Sequence, residues 1–293
     1  MKIRIGIGAA PTSLEELTAV ADSVVRGGFD SIWLPEVLAS PVLDPAVALA
    51  TLAASAPTLK LGTTVLFTGT NTIRLAKRLA SLDVVSGGRL LVTAVPGLTT
   101  GAEPSAIGLD PRRGGPVLEE VLGLLRQLWS GAAVTHDGPA GSFTDVTVRP
   151  TPVQQPLEVW LGGTARNSLL RCGRVGDGWL PSMCTPEEVA RGRVVIEAEA
   201  ALHGRAISEE HFGVSLGYFA HGYPDGLEAS MANRLKGRAL PDVIPPTLDE
   251  VPVLLERFIA EGCSKFVLRP LDAGVDYAEA FSALSPSVVG LQT

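Results

Sequence analysis

Eight short apolar runs, separated by helical patterns along almost the whole chain, restrict this sequence more than any other feature. They cover residues 3–7, 31–34, 59–65, 90–94, 159–161, 178–180, 214–218 and 265–268. Apolar runs alternating with helices are the sign of βαβ units and a parallel sheet. Eight such strands predict a closed (β/α)8 TIM barrel with insertions, and 293 residues suffice to build it as a single domain over 1–293. An open doubly wound sheet usually has five or six strands and needs a glycine-rich dinucleotide loop after the first. Gly6-Ile7-Gly8-Ala9-Ala10-Pro11 lacks the third glycine, and Pro11 interrupts the helix start.

Helix starts agree with this reading. Ser13 precedes Leu14-Glu15-Glu16 in a capping-box arrangement, Asp44-Pro45 precedes an alanine-rich run, and Thr185-Pro186-Glu187-Glu188 repeats the pattern. Two segments break the alternation. Residues 133–152 have turn signals and alternating residues, which predicts a hairpin inserted before the fifth barrel strand. Residues 224–246, with Met231, Arg234, Lys236 and Arg238, form an excursion after the seventh strand, on the face where insertions shape barrel active sites.

Composition excludes several classes. With 46% hydrophobic residues and a mean hydropathy of +0.27, a sizeable core is expected. No run approaches the roughly eighteen apolar residues of a membrane span, so a soluble protein is expected. Met1-Lys2 leads straight into strand residues with no apolar signal core, which predicts a cytoplasmic location. The net charge is −7 and the lysines and arginines are scattered, against a nucleic-acid partner. Cys172, Cys184 and Cys263 match no zinc or disulfide spacing, and the four histidines form no paired motif. Reduced structural thiols and no metal site are expected.

In a parallel barrel the ligand sits at the carboxyl ends of the strands. That filter selects Gly8, Ala9, Glu36, residues 64–68, Pro96, Gly97, Gly162, Gly163, Thr164, Ser182, His221 and Arg269. The set has one carboxylate, one guanidinium and no nucleophile–base pair, which points away from hydrolysis and towards chemistry carried by an organic cofactor. Gly162-Gly163, with Thr164 expected to cap the next helix, either offers amides to an anion or only closes a βα turn. Glu36 is either a proton donor or cofactor contact, or a helix-capping carboxylate. Arg269 either takes a phosphate or carboxylate, or pairs with Asp272. His221 and the trio Arg234, Lys236 and Arg238 are either solvated or turned to the site, the trio then meeting an anionic cofactor tail.

Three separated blocks carry a family resemblance. The run of residues 59–90 contains Ala76, Lys77, Leu82, Asp83, Ser86, Gly87, Gly88 and Arg89 in an AK-x(4)-LD-x(2)-SGGR pattern, followed by VWLGG at 159–163 and GDGWLP at 176–181. Together they resemble the luciferase-like monooxygenase and reductase family, over nearly the whole chain. The resemblance implies a barrel that holds FMN or the deazaflavin coenzyme F420 at its carboxyl face. It implies that Glu36, Thr64, Val65 and Phe67 lie beside the reactive ring, with a non-prolyl cis peptide mapped to Thr64-Val65. It further implies a phosphate site at Gly162, Gly163 and Thr164, further contacts from Ser182 and Arg269, and a homodimer through the helices at 45–56 and 72–85.

The stretches at 31–45 and 82–91 resemble deazaflavin-dependent members more than FMN-dependent ones. The expected activity is therefore hydride transfer between F420 and a small organic substrate, which would enter over the loops after the fourth and seventh strands. An FMN-dependent monooxygenase is the alternative within the fold. Trp33-Leu34-Pro35-Glu36-Val37 keeps the acid of many deazaflavin enzymes without the following histidine, and Thr93-Ala94-Val95-Pro96-Gly97 replaces a glycine-rich run. These departures motivate a third reading, a non-catalytic ligand-binding barrel with a degenerate cofactor site.

Overall fold

The computed structural model describes residues 1–97, 104, 105, 108 and 110–293. Its main sheet is built from β1 (Arg4–Gly8), β2 (Ser31–Pro35), β3 (Lys60–Leu66), β4 (Leu90–Val95), β7 (Val159–Leu161), β8 (Gly178–Trp179), β9 (Gly213–Tyr218) and β10 (Lys265–Pro270). The remaining two strands, β5 (Val134–Gly138) and β6 (Gly141–Val146), form the expected antiparallel hairpin. All pairings in the main sheet are parallel, in the order β8-β7-β4-β3-β2-β1-β10-β9. The two outer strands then meet. The Trp179 amide donates to the His211 carbonyl at 2.9 Å and the Ser215 amide to the Pro181 carbonyl at 2.8 Å, so the sheet closes into a barrel.

Nine helices of at least nine residues are described: α1 (Leu14–Arg26), α2 (Pro45–Ser55), α3 (Thr72–Val85), α4 (Gly114–Trp129), α5 (Arg166–Val175), α6 (Pro186–Leu202), α7 (Leu227–Leu235), α8 (Glu250–Ala260) and α9 (Tyr277–Val288). The capping residues read from sequence mostly act as expected. Ser13 accepts the Glu16 amide, Asp44 accepts the Ala46 and Val47 amides, and Thr185 with Glu188 forms a full capping box. The Glu16 carboxylate binds back to Thr12 rather than Ser13. Thr164 does not cap α5: the cap position is Ala165 and no side chain fills it. The positive φ of +91° at Gly163 turns the chain so that one more residue is used before the helix begins.

Strand alternation creates two apolar layers. Ile5, Ile7, Ile32, Leu61, Val92, Val159, Leu216 and Phe266 face outward and pack with helix residues such as Leu17, Leu49, Leu79 and Leu122. Each fully buried side chain of this size stabilises the fold by roughly 1.5–3 kcal/mol. Inside, Trp33, Leu180 and Val267 pack with Leu91 and Trp160. The indoles need space on neighbouring strands. A Cβ on Gly62, opposite Trp33 in register, would lie 2.2 Å from its ring, and one on Gly178 would lie 2.5 Å from Trp160. The lumen is therefore plugged halfway, leaving a mouth at the carboxyl end.

The amino end is closed by charge. The Lys265 ammonium binds the Asp30 carboxylate and donates to Ser31 Oγ at 3.0 Å, while Lys60 and Arg4 approach the same carboxylate at 3.2 and 3.5 Å. Burial pulls the Lys265 ammonium down to about 8 against the attraction of Asp30, and these cations, led by Lys265, hold Asp30 below the usual carboxylate range despite its burial.

The 224–246 excursion has a small core of its own, in which Phe219, Leu235, Leu240, Val243 and Ile244 pack with Met183 and Tyr223. Arg238 is tied to Glu188 at 2.7 Å, whereas Arg234 and Lys236 are exposed. His221 is exposed and bridges to Thr247. All three cysteines are free and buried. Among the described residues no helix is long and apolar enough to cross a membrane, and no cluster of three metal-ligating side chains occurs.

Asp30→Asn leaves a buried ammonium uncompensated and is expected to lower unfolding stability by about 3–5 kcal/mol. Urea melts check this, and Asp30→Asn with Lys265→Met should recover most of the loss. A single-variant loss below about 1 kcal/mol would show that the cluster is no more than a surface ion pair.

Candidate active site

Two cavities flank the plugged lumen. The one at the amino end, about 230 Å³, is lined by Arg4, Lys60 and Lys265 of the ion cluster and by the undersides of Trp33 and Trp160. The other, about 390 Å³, opens at the carboxyl ends of β2, β3, β4 and β7. The second lies where parallel barrels place their chemistry.

Its apolar wall consists of Leu66, Val95, Leu118 and Leu161, with Pro96 and Gly97 beside them. Pro96 lines the cavity rather than closing it, and the Thr68 hydroxyl holds its carbonyl at 2.9 Å. Gly97 has φ of +87°, a conformation that a side chain would strain.

Glu36 leaves the end of β2 and stands at one side. Its Oε2 accepts the Leu66 amide at 2.7 Å, and Arg78 Nη1 approaches Oε1 at 3.4 Å. The carboxyl group thus caps a strand end; the helix-capping role at α2 belongs to Asp44. Burial is the largest influence on Glu36 and pushes it above the usual carboxylate range, with the Leu66 amide and Arg78 opposing.

The opposite side is cationic. Gly162 and Gly163 line it together with Ser168 and Arg171 from α5. The Gly163 carbonyl is held by Trp179 Nε1 at 2.9 Å, and a Cβ at Gly163 would come within 2.9 Å of Ser168 Oγ. Helix α5 begins here without a side-chain cap, so the positive end of its dipole faces the same corner. Arg171 Nε is buried with no hydrogen bond. The nearest carboxylate, Glu119, lies 3.9 Å away and is already bound by Arg174 through two contacts of 2.9 and 3.0 Å. Burial consequently lowers the proton affinity of Arg171. Gly115 is what admits this guanidinium, since a Cβ there would lie 1.9 Å from Nη2.

Of the residues selected from sequence, Glu36, Pro96, Gly97, Gly162 and Gly163 come together at this cavity. Thr64 shares the inward face of β3 with Gly62 and Leu66. Val65 and Phe67 do not reach the cavity: they are buried in the main core, because a strand sends alternate residues to opposite faces. Thr164 turns to a separate cleft beside α6, and Ser182 is exposed beyond β8. The Thr64–Val65 peptide is not cis; both cis bonds among the described residues precede prolines, at Pro150 and Pro156. In-register pairing of Thr64 with Thr93 and Val65 with Ala94 keeps that backbone extended. Arg269 emerges from β10 and makes no pair with Asp272, whose carboxylate accepts the Ala220 amide at 3.0 Å. Residues 98–103 of the substrate-entry loop expected after β4 lie outside the described residues.

Sequence reading missed Ser168 and Arg171. Their signal is the three-residue spacing that puts both on one face of the helix following the glycine pair.

The arrangement combines a half-open apolar cleft, a carboxyl group that retains its proton above the usual range, and a cationic corner with a buried unsatisfied donor. A planar organic cofactor with an anionic tail fits these groups.

The model of the luciferase-like monooxygenase family matches residues 1–235. The FMNH2-dependent dimethylsulfone monooxygenase of Pseudomonas putida is 32% identical over 136 residues, which is 45% of this chain and 37% of that protein. The F420-dependent glucose-6-phosphate dehydrogenase of Kineococcus radiotolerans is 28% identical over 187 residues, 58% of this chain and 52% of that protein. The chain thus spans about half or less of the length of these relatives. Among solved structures, an F420-dependent secondary alcohol dehydrogenase in complex with an F420–acetone adduct superposes over 100% of both chains with a TM-score of 0.83 at 14% identity, which shows the shared fold. Given the match over residues 1–235, the chain belongs to the luciferase-like monooxygenase family, whose members include F420-dependent and FMN-dependent oxidoreductases.

Proposed function

We propose that the protein is an oxidoreductase that moves a hydride between the deazaflavin coenzyme F420 and a small organic substrate. The observation that carries this reading is the pairing, across one cavity, of an undercompensated guanidinium at Arg171 with a proton-retaining carboxyl at Glu36. When bound, the deazaflavin supplies a two-electron hydride carrier. Arg171, Ser168 and the uncapped end of α5 hold its anionic tail, and Gly162-Gly163 lets the backbone approach. Leu66, Val95 and Leu161 exclude water beside the ring.

Glu36 manages the proton. Its Oε2 accepts the Leu66 amide at 2.7 Å and its Oε1 has only the longer Arg78 contact of 3.4 Å, so Oε1 is the oxygen better placed to carry the proton when the carboxyl is neutral. From there it can pass to a substrate oxygen as hydride arrives at the neighbouring carbon, and the reverse direction returns it to the carboxylate. A homodimer through α2 and α3 belongs to the same reading; Val47 on α2 and Val85 on α3 are exposed.

Parallel titrations with F420 and with FMN, read by tryptophan fluorescence, test the reading. Saturable binding of F420 alone is expected. Selective FMN binding would move the protein to a monooxygenase role, and silence with both would leave a non-catalytic barrel. Arg171→Met removes a charge-assisted contact and should weaken F420 binding about 10- to 100-fold.

Glu36→Gln should reduce carbonyl-reducing turnover about 10²- to 10⁴-fold while F420 affinity changes little. In the parent, that activity should fall as pH rises through the elevated Glu36 value, and the variant should lose this limb. Stability follows the same linkage. Folded Glu36 keeps its proton above the unfolded value of 4.5, so folding takes up protons in that window. Parent stability relative to Glu36→Gln should therefore rise as pH falls towards 4.5 and level off below it, which thermal melts across pH can check.

A further inference from the structure

The partially and fully buried arginines of this protein are almost all paid for by acceptors. Arg89 donates to the carbonyls of Ala53, Ala56, Leu59 and Ser86, Arg126 to Asp177, Arg174 to Glu119 and Glu199, and Arg205 to Gly173 and Gly176. Two guanidiniums differ, and both stand at the carboxyl end of the barrel. One is Arg171, assigned above to the cofactor tail. The other is Arg269.

Arg269 lies on the inward face of β10, in line with Lys265 and Val267, at the level where the strand opens into the mouth. Its Nε is buried without a hydrogen bond, and no carboxylate or carbonyl of the described residues accepts from its guanidinium. Asp272 is engaged elsewhere. The phenol of Tyr277 is the neighbour that most favours its charge, and that hydroxyl already accepts the Ala10 amide at 3.1 Å. Space for the side chain is built in: a Cβ on Gly8, at the end of the neighbouring strand β1, would approach Nε to 3.2 Å. A buried cation without a counter-charge is costly unless an anion completes it.

The cofactor tail is not placed to be that anion. Strand β10 is three strands from β7 in one direction around the barrel and five in the other. For strands about 4.8 Å apart and tilted about 36°, this puts Arg269 roughly 14 Å from the Gly162–Gly163 corner. A ring anchored at that corner and extending over β3 towards Glu36 leaves Arg269 on the far side of the mouth, where a substrate must enter.

We propose that Arg269 binds an oxyanion carried by the substrate, so that the protein acts on carboxylate-, phosphate- or sulfonate-bearing compounds. The inference rests on the proposed function for the word substrate; the anion site itself does not. Inorganic phosphate is the probe, titrated into the parent, Arg171→Met and Arg269→Met by calorimetry, with F420 titrated into the same proteins. Two phosphate sites are expected in the parent. Arg269→Met should abolish one or weaken it at least tenfold, change F420 affinity less than twofold, and raise the melting temperature, because an uncompensated charge is gone. Arg269→Lys should restore part of the phosphate binding.

Phosphate binding unchanged by Arg269→Met would overturn the proposal. So would a tenfold loss of F420 affinity in that variant, which would make Arg269 a cofactor contact. If the parent binds no F420 yet loses a phosphate site with Arg269→Met, the cofactor reading fails and the anion site stands. With a substrate in hand, removal of its charged group should raise KM in the parent and leave Arg269→Met indifferent.

Discussion

Everything functional in this molecule depends on closing an all-parallel sheet around two indoles. The interior of an eight-stranded barrel is just wide enough for side chains to fill, so rings as large as indoles fit only where neighbouring strands give up their side chains. Here Gly62 yields to Trp33 and Gly178 to Trp160, and the resulting plug divides the lumen into two ends. The amino end is closed by Lys265, Lys60 and Arg4 around Asp30. The carboxyl end stays open at the ends of β2, β3, β4 and β7, where Gly97, Gly162 and Gly163 stand at the rim of the cavity.

The rim is electrostatically uneven in a way that suits chemistry more than stability. At the amino end one carboxylate answers three cations, and burial still shifts Lys265. At the carboxyl end Arg171 and Arg269 have almost no answer, while Glu36 is pushed towards its neutral form. Structural charges elsewhere are matched, as Arg174 with Glu119 and Arg238 with Glu188 are. Among the described residues the buried guanidinium nitrogens without a hydrogen bond, those of Arg171 and Arg269, both stand at the carboxyl end, which is the physical mark of groups kept for a ligand.

Legibility in the sequence varied with the range of the interaction involved. Local signals worked: Asp44 before Pro45 and Thr185 before Glu188 cap their helices, because a cap is decided within four residues. Thr164 failed for a local reason too, since the left-handed turn at Gly163 moved the cap to Ala165. Glu36 was visible as the lone acid at a strand end, but its partners, the Leu66 amide and Arg78, arrive from another strand and helix. Val65 and Phe67 were drawn to the site by position after a strand, and the alternation of that strand sent them to the core.

The sequence alone determined the eight strands, their parallel order of build-up, the hairpin and the family, because apolar periodicity and short motifs are written in consecutive residues. Which residues share a cavity was decided by tertiary structure. Arg171 needs Gly115 from another helix to reach the cavity, and Arg269 Nε is left without a partner while Asp272 accepts the Ala220 amide. Burial and counter-charge are properties of what the fold brings near, and no stretch of consecutive residues specifies them.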